Sequence, residues 1–172
     1  FIGMGLINSS LARDLKIKKF YLSSSAYSRR LSTINKIKKL KLVDLASSNL
    51  EKVITEADMV VVGIPVAAYK EVFKKMCNKI KPGTIITDVG SVKKEVIHSV
   101  KKYIPKNVDF VPGHPIAGTE KSGPESGFAG LFKNGWCILT PNKNTNRDAV
   151  KVIKYMWELV GMRVDIMDSK YH

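Results

Sequence analysis

The 172-residue chain is expected to form an α/β domain built on a doubly wound, mostly parallel sheet with helices on both faces. Three observations predict it. Short apolar runs of strand character alternate with stretches of helical periodicity, as they do when parallel strands are joined by crossover helices. Several of those runs, Met59–Ile64 above all, are continuously apolar rather than alternating, which suits strands covered on both faces. A glycine turn, Gly3-Met4-Gly5, lies between a strand stub and an amphipathic stretch.

Taken in order, Phe1–Ile2 is the stub of a first strand, and Gly5–Leu15 is the first helix, with Leu6, Leu11 and Leu15 on its apolar side. Strand Ser24–Ser28 and helix Arg30–Leu40 follow. A short helix at Leu50–Glu56 precedes strand Met59–Ile64, and helix Val66–Asn78 precedes strand Thr84–Asp88. Helix Val92–Tyr103 then leads to strand Asp109–Val111. Residues 112–130, rich in Gly, Pro, Ser and Thr, are the one long irregular stretch, and ordered loops of that length are usually functional. Strand Trp136–Thr140 and helix Asn146–Val160 come next, with Val150, Ile153, Trp157 and Val160 on one helical face and Thr145 placed to cap the first turn. Strand Arg163–Met167 is the last element.

Composition narrows the function classes. With 44% hydrophobic and 26% charged residues, the chain fits one ordinary globular domain and excludes disorder and collagen-like repeats. A domain of this size buries roughly 70% of its unfolded surface, so it needs neither disulfides nor metal for a core. The longest apolar run, Met59–Tyr69, is broken by Gly63 and Pro65 and is too short to span a membrane. Cys77 and Cys137 stand apart with no metal-site spacing, which predicts buried, reduced thiols and a cytoplasmic setting. The formal charge of +14 raises nucleic-acid binding. The lysines, however, are scattered over presumed exposed helix faces (Lys16, Lys36, Lys74, Lys93, Lys151) with no interleaved aromatics. No nucleic-acid partner is therefore expected; the field can steer small anions toward a cleft, or simply reflect a lysine-rich proteome. The chain starts at Phe1 without an initiating Met and stops right after a strand, so it reads as part of a longer protein.

Gly3-Met4-Gly5-Leu6-Ile7-Asn8 nearly matches the dinucleotide fingerprint, with Asn in the third glycine place. Gly3 permits the tight turn, and Gly5 lets the backbone N–H groups of Leu6 and Ile7 approach a pyrophosphate at the positive end of the helix. Asn8 is bulkier than glycine and predicts a helix standing slightly off the sheet. The carboxylate that would hold an adenine-ribose hydroxyl should follow about 20 residues on. That region reads Ser28-Arg29-Arg30, a hydroxyl and two guanidinium groups suited to a 2′-phosphate, so NADP is favoured over NAD. The alternative is that Arg29 and Arg30 only begin a solvated helix.

Three later strand ends should share one crevice: Gly63-Ile64-Pro65, Asp88-Val89-Gly90-Ser91 and Gly113-His114-Pro115. His114, between Gly113 and Pro115, is the candidate acid/base, with an ordinary pKa of ~6.5. Ser91 is either a second polar group of that crevice or an N-cap for the next helix. His98 reads as a surface helix residue.

The block Gly113-His114-Pro115-Ile116-Ala117-Gly118-Thr119-Glu120-Lys121-Ser122-Gly123 occurs with Asp88-Val89-Gly90-Ser91-Val92-Lys93 and Trp136-Cys137-Ile138-Leu139-Thr140-Pro141. Together these closely resemble the prephenate/arogenate (cyclohexadienyl) dehydrogenase family over essentially the whole chain. The resemblance implies a Rossmann-type dinucleotide-binding domain at residues 1–168. Residues 169–172 would open a helical dimerisation domain that lies outside this chain and makes a homodimer. It also implies oxidative decarboxylation of prephenate to 4-hydroxyphenylpyruvate, or of arogenate to tyrosine, with NADP or NAD as acceptor. His114 would be the catalytic histidine at the ring hydroxyl, and Ser91 the serine that orients that hydroxyl. Thr119 and Glu120 would line the substrate entrance, and His172 would stand at the domain junction. Gly3, Gly5, Leu6, Ile7, Ser28, Arg29, Arg30, Gly63, Pro65 and Ser91 would meet the cofactor. Two further classes are weighed beside it: a non-catalytic nucleotide-sensing domain and a different two-domain hydroxy-acid dehydrogenase.

Overall fold

Ile2 lies at the centre of the main sheet in the computed structural model, which describes residues 1–172. It bridges in parallel to Tyr27 on one side and to Val62 on the other. Its neighbours toward one edge are β1 (Ser25–Tyr27) and then β2 (Leu45–Ser47). Toward the other edge come β3 (Met59–Val62), β4 (Ile85–Asp88) and β5 (Asp109–Val111), all parallel. The chain order therefore reverses at Ile2, and the glycine turn begins at that switch point. Open α/β sheets bind ligands just there, at the carboxyl ends of the strands.

The helices are α1 (Leu6–Ile17), α2 (Leu31–Lys39), α3 (Leu50–Ile54), α4 (Tyr69–Met76), α5 (Lys93–Val100) and α6 (Arg147–Leu159). β3 shows why its sequence is apolar throughout. Val60 and Val62 pack with Phe73, Met76 and Val96 from α4 and α5, while Val61 joins Leu11, Ile153 and Trp157 from α1 and α6 on the other face. A third cluster, including Met4, Ala26, Ile34 and Ile37, seats α1 and α2 on β1. Cys77 and Cys137 are free and buried, and burial pushes the thiols up to about 11 and about 12, so neither is a nucleophile at neutral pH. No helix is long and apolar enough to cross a membrane.

The sheet is not a single layer. After β5 the chain passes through Pro112 into β6 (Gly113–Ile116), which pairs antiparallel with β7 (Trp136–Leu139); β7 then pairs parallel with β8 (Arg163–Ile166). Residues 113–116 are thus a strand within the stretch expected to be irregular. Gly-His-Pro-Ile carries turn residues and no run of β-formers, so local chemistry hid it. β6 is an edge strand, where the donor that proline lacks is not required. β2 was missed because three residues, one of them buried, present no hydrophobic pattern. The cap of α6 is Asn146, whose side chain accepts from Asp148 N–H, rather than Thr145. Lys16, Lys36, Lys74 and Lys151 are exposed as expected, but Lys93 is fully buried.

Asn8 is absorbed into the helix–sheet interface, at 1% exposure. Its Nδ2 donates to Gly3 O at 2.8 Å, with Ile2 O and Val61 O at 3.4 Å. The room comes from Gly63, where an added Cβ would stand 2.6 Å from Asn8 Nδ2. The missing third glycine of the fingerprint is in effect supplied by β3's end, so bulk on α1 is met by space on the sheet. Gly63→Ala is therefore expected to destabilise the domain by about 1–3 kcal/mol, the usual cost of overpacking. Adding Asn8→Ala should recover part of that loss, because it clears the space. A double-mutant cycle by denaturant unfolding measures the coupling, and simple additivity would refute this account.

Candidate active site

The site is built on the switch point and the three strand ends beside it. Gly3 has φ +80° and its N–H donates to Tyr27 O at 3.0 Å, so the turn leaves the sheet sharply. Glycine is required, because a Cβ would also stand 2.7 Å from Ile64 Cγ2. Gly5 is the N-cap of α1 and supplies no side-chain acceptor, so the first-turn N–H groups of Leu6 and Ile7 have no side-chain cap. A Cβ on Gly5 would meet nothing within 4 Å. An open space thus lies before uncapped N–H groups at the positive end of a 12-residue helix, which fits a pyrophosphate.

Ser28 follows β1 beside this turn and is half-buried; Arg29 and Arg30 are exposed. Arg30 is the N-cap of α2 rather than its first helical residue, and no acidic side chain stands in that helix's first turn. Both guanidinium groups lack a carboxylate partner, since neither takes part in an ion pair. Gly63 and Pro65 follow β3 at its carboxyl end, with Pro65 exposed.

Ser91 lies exposed in the turn after β4. The N-cap of α5 is Val92 with no side-chain cap bond, so the alternative role for Ser91 as a cap is not realised. His114 is half-buried on β6, and its Nδ1 meets His172 Nε2 at 2.8 Å. The exposed C-terminal residue and the strand histidine thus form one pair. Burial lowers the His114 pKa below its ordinary value, helped by His172 and Lys93 and opposed by Asp88. His172 is also lowered, again chiefly by burial. His98 is exposed on α5.

Thr119 and Glu120 are exposed at the start of the segment that follows β6, where Thr119 Oγ1 accepts from Lys121 N–H at 3.2 Å. That segment straps across α1. Phe128 N–H donates to Ser10 Oγ at 3.1 Å, and Gly130 N–H donates to Asp14 Oδ1 at 2.9 Å. Lys36 on α2 pairs with Glu125 of the strap. Asp14 went unremarked in the sequence, as did the roles of Tyr69, Asp88 and Lys93. A carboxylate ending a buried apolar strand, followed five residues later by a lysine, was the available signal for the last two.

Comparison with known proteins shows the family and the fold. Residues 11–166 match the family described as prephenate dehydrogenase, nucleotide-binding domain. The chain is 37% identical over 171 residues to a cyclohexadienyl dehydrogenase of Zymomonas mobilis, covering 99% of this chain and 58% of that protein. A crystal structure of prephenate dehydrogenase from Aquifex aeolicus in complex with hydroxyphenyl propionate and NAD+ superposes with a TM-score of 0.91 at 32% identity, over 99% of this chain and 59% of that one. A Synechocystis arogenate dehydrogenase gives a TM-score of 0.90 at 28% identity, over 99% and 59%. The chain thus spans somewhat over half the length of these relatives.

Proposed function

Because this chain belongs to the prephenate dehydrogenase family, as its nucleotide-binding domain, we propose that it supplies the dinucleotide site and catalytic histidine for oxidative decarboxylation of prephenate or arogenate. The observation that carries the proposal is the placing of His114. It stands half-buried on the strand that follows β5, with a depressed pKa and one ring nitrogen engaged by His172, and the residue before it, Gly113, donates its N–H to the same Asp88 carboxylate as Gly90, the residue before Ser91.

When bound, the nicotinamide accepts a hydride from the ring carbon that bears the hydroxyl. Leu6 and Ile7 N–H groups hold the pyrophosphate, with Gly3 and Gly5 giving access, while Gly63, Pro65 and Ser91 border the crevice toward the nicotinamide. Ser91 orients the substrate hydroxyl. His114 takes its proton at Nε2, which requires Nδ1 to carry the other ring proton and donate it to His172 Nε2. Neutral imidazole is the competent form, and the depressed pKa keeps it neutral. Loss of carbon dioxide then makes the ring aromatic. Thr119 and Glu120 guard the entrance, and His172 both steadies His114 and faces the substrate. The Aquifex relative in complex with NAD+ supports a nicotinamide cofactor.

The unpaired Arg29 and Arg30 beside half-buried Ser28 favour NADP over NAD in this reading. Arg29→Ala and Arg30→Ala are each expected to raise KM for NADP+ by about 10- to 100-fold, the equivalent of one charge-assisted hydrogen bond, with little effect on NAD+. Equal effects on both cofactors would return the two arginines to the solvated helix end. Homodimerisation through a helical domain of the longer protein, in the cytoplasm, completes the proposal.

The deciding experiment offers prephenate and arogenate, each with NAD+ and NADP+, to the protein carrying this domain and follows reduced-cofactor production. Turnover in any pair supports the assignment. Cofactor binding without turnover in all four pairs would leave a nucleotide-sensing domain.

A further inference from the structure

Asp88, the last residue of β4, and Lys93, the first of α5, are both at 0% exposure and lie 2.5 Å apart. The carboxylate is fully subscribed. Its Oδ2 accepts from Lys93 Nζ, from Tyr69 Oη at 3.0 Å and from Gly90 N–H at 2.8 Å, and its Oδ1 accepts from Gly113 N–H at 3.2 Å. Lys93 Nζ also donates to Gly113 O at 2.6 Å. The two backbone segments gripped here are those next to the proposed reacting groups: Gly90 precedes Ser91, and Gly113 precedes His114. Both positions are glycine where the fit is close, since a Cβ would stand 3.0 Å from Asp88 Oδ2 at Gly90 and 3.0 Å from Asp88 O at Gly113.

A buried ion pair is a poor stabiliser, because the desolvation of both charges offsets their attraction and well-packed apolar residues do as well. What it supplies is direction. One carboxylate with four donors can hold a turn and a strand from another sheet at a fixed spacing, which nondirectional apolar contacts do not do.

We propose that Asp88, with Lys93 as its counter-ion, is the positioning residue that sets Ser91 against His114; the proposal rests on the catalytic reading of those two residues given above. Both side chains are fully buried, so they act through the backbone segments they hold. Tyr69 is the third anchor: its single hydroxyl proton goes to the Asp88 carboxylate at 3.0 Å, with Val62 O at the end of β3 as a longer, competing acceptor at 3.3 Å.

The pair also contributes to the field at His114, after burial and His172. The charged or titratable groups around that ring are His172 against Nδ1, Lys93 and Asp88 against the preceding residue Gly113, and the buried Cys137 thiol on the adjoining strand. Lys93 lowers and Asp88 raises the His114 pKa, so removing each should move it in opposite directions. A role in folding alone would not do this.

The test uses imidazole proton resonances of this chain, assigned among His98, His114 and His172 by single His→Asn variants. In folded Asp88→Asn the His114 titration is expected at lower pH than in the parent, and in folded Lys93→Met at higher pH. Unchanged His114 midpoints in folded variants would overturn the proposal. Should the single variants not fold, Tyr69→Phe and the neutral pair Asp88→Asn/Lys93→Met take their place. In the protein carrying the domain, these are expected to lower kcat, by about 10- to 100-fold for the neutral pair and less for Tyr69→Phe, with KM for the dinucleotide nearly unchanged. Unaltered kcat in the neutral pair would equally overturn it. An inactive parent would sink the catalytic reading instead, which the resonance titration reports separately.

Discussion

His114→Asn is expected to lower kcat by about 10²–10⁴-fold, the range for loss of a general base, while dinucleotide affinity stays within about twofold. The asymmetry follows from where the residue sits. His114 is on β6, reached through Pro112, whereas the proposed pyrophosphate cradle is the Gly3–Gly5 turn at the switch point. Asparagine keeps a hydrogen-bonding side chain but cannot accept the hydroxyl proton. In the parent, kcat/KM should hold as pH falls through the ordinary histidine range and drop only below it, because burial, His172 and Lys93 all hold the pKa down. The sign is that of a base: protonation on the acid side removes the competent form. A pH–rate profile of both proteins checks this, and survival of the acid limb in His114→Asn would assign the limb elsewhere.

Gly3→Ala is expected to cost about 2–5 kcal/mol, combining a left-handed backbone at a residue with a Cβ and overpacking against the end of β3. φ is +80° at Gly3, and the new Cβ would press on Ile64 Cγ2 at 2.7 Å and on the Gly63 carbonyl. Against a typical domain stability of about 5–15 kcal/mol that is a large fraction, read as a fall in melting temperature of several degrees or more. Binding should fail as well, since the turn sets the direction in which α1 meets the anion. Gly5→Ala separates the two effects. Its Cβ meets nothing within 4 Å, so the fold should stand while the methyl fills the cradle and weakens dinucleotide binding. A stable Gly3→Ala that binds normally would show that the turn is not under the constraint described.

The parts of this protein legible in its sequence were those governed by local chemistry and period. Continuous apolar runs announced strands covered on both faces, and Val60, Val61 and Val62 do divide between the two cores. The glycine turn announced itself through a conformation that only glycine adopts readily, and α6 through its spacing of Ile153 and Trp157. The His114 block was specific enough to imply the family. Tertiary structure alone decided the remainder. A scattered lysine and a strand-end aspartate became a buried pair because β4, α5 and β6 converge, which residue spacing does not encode. Asn8 fits because Gly63, distant in sequence, leaves room for it. His172 found His114 only when β8 returned beside β7. Local rules choose the elements, since they depend on backbone preference and apolar period; the site depends on which ends those elements bring together, and that is settled only when the sheet closes its pairings.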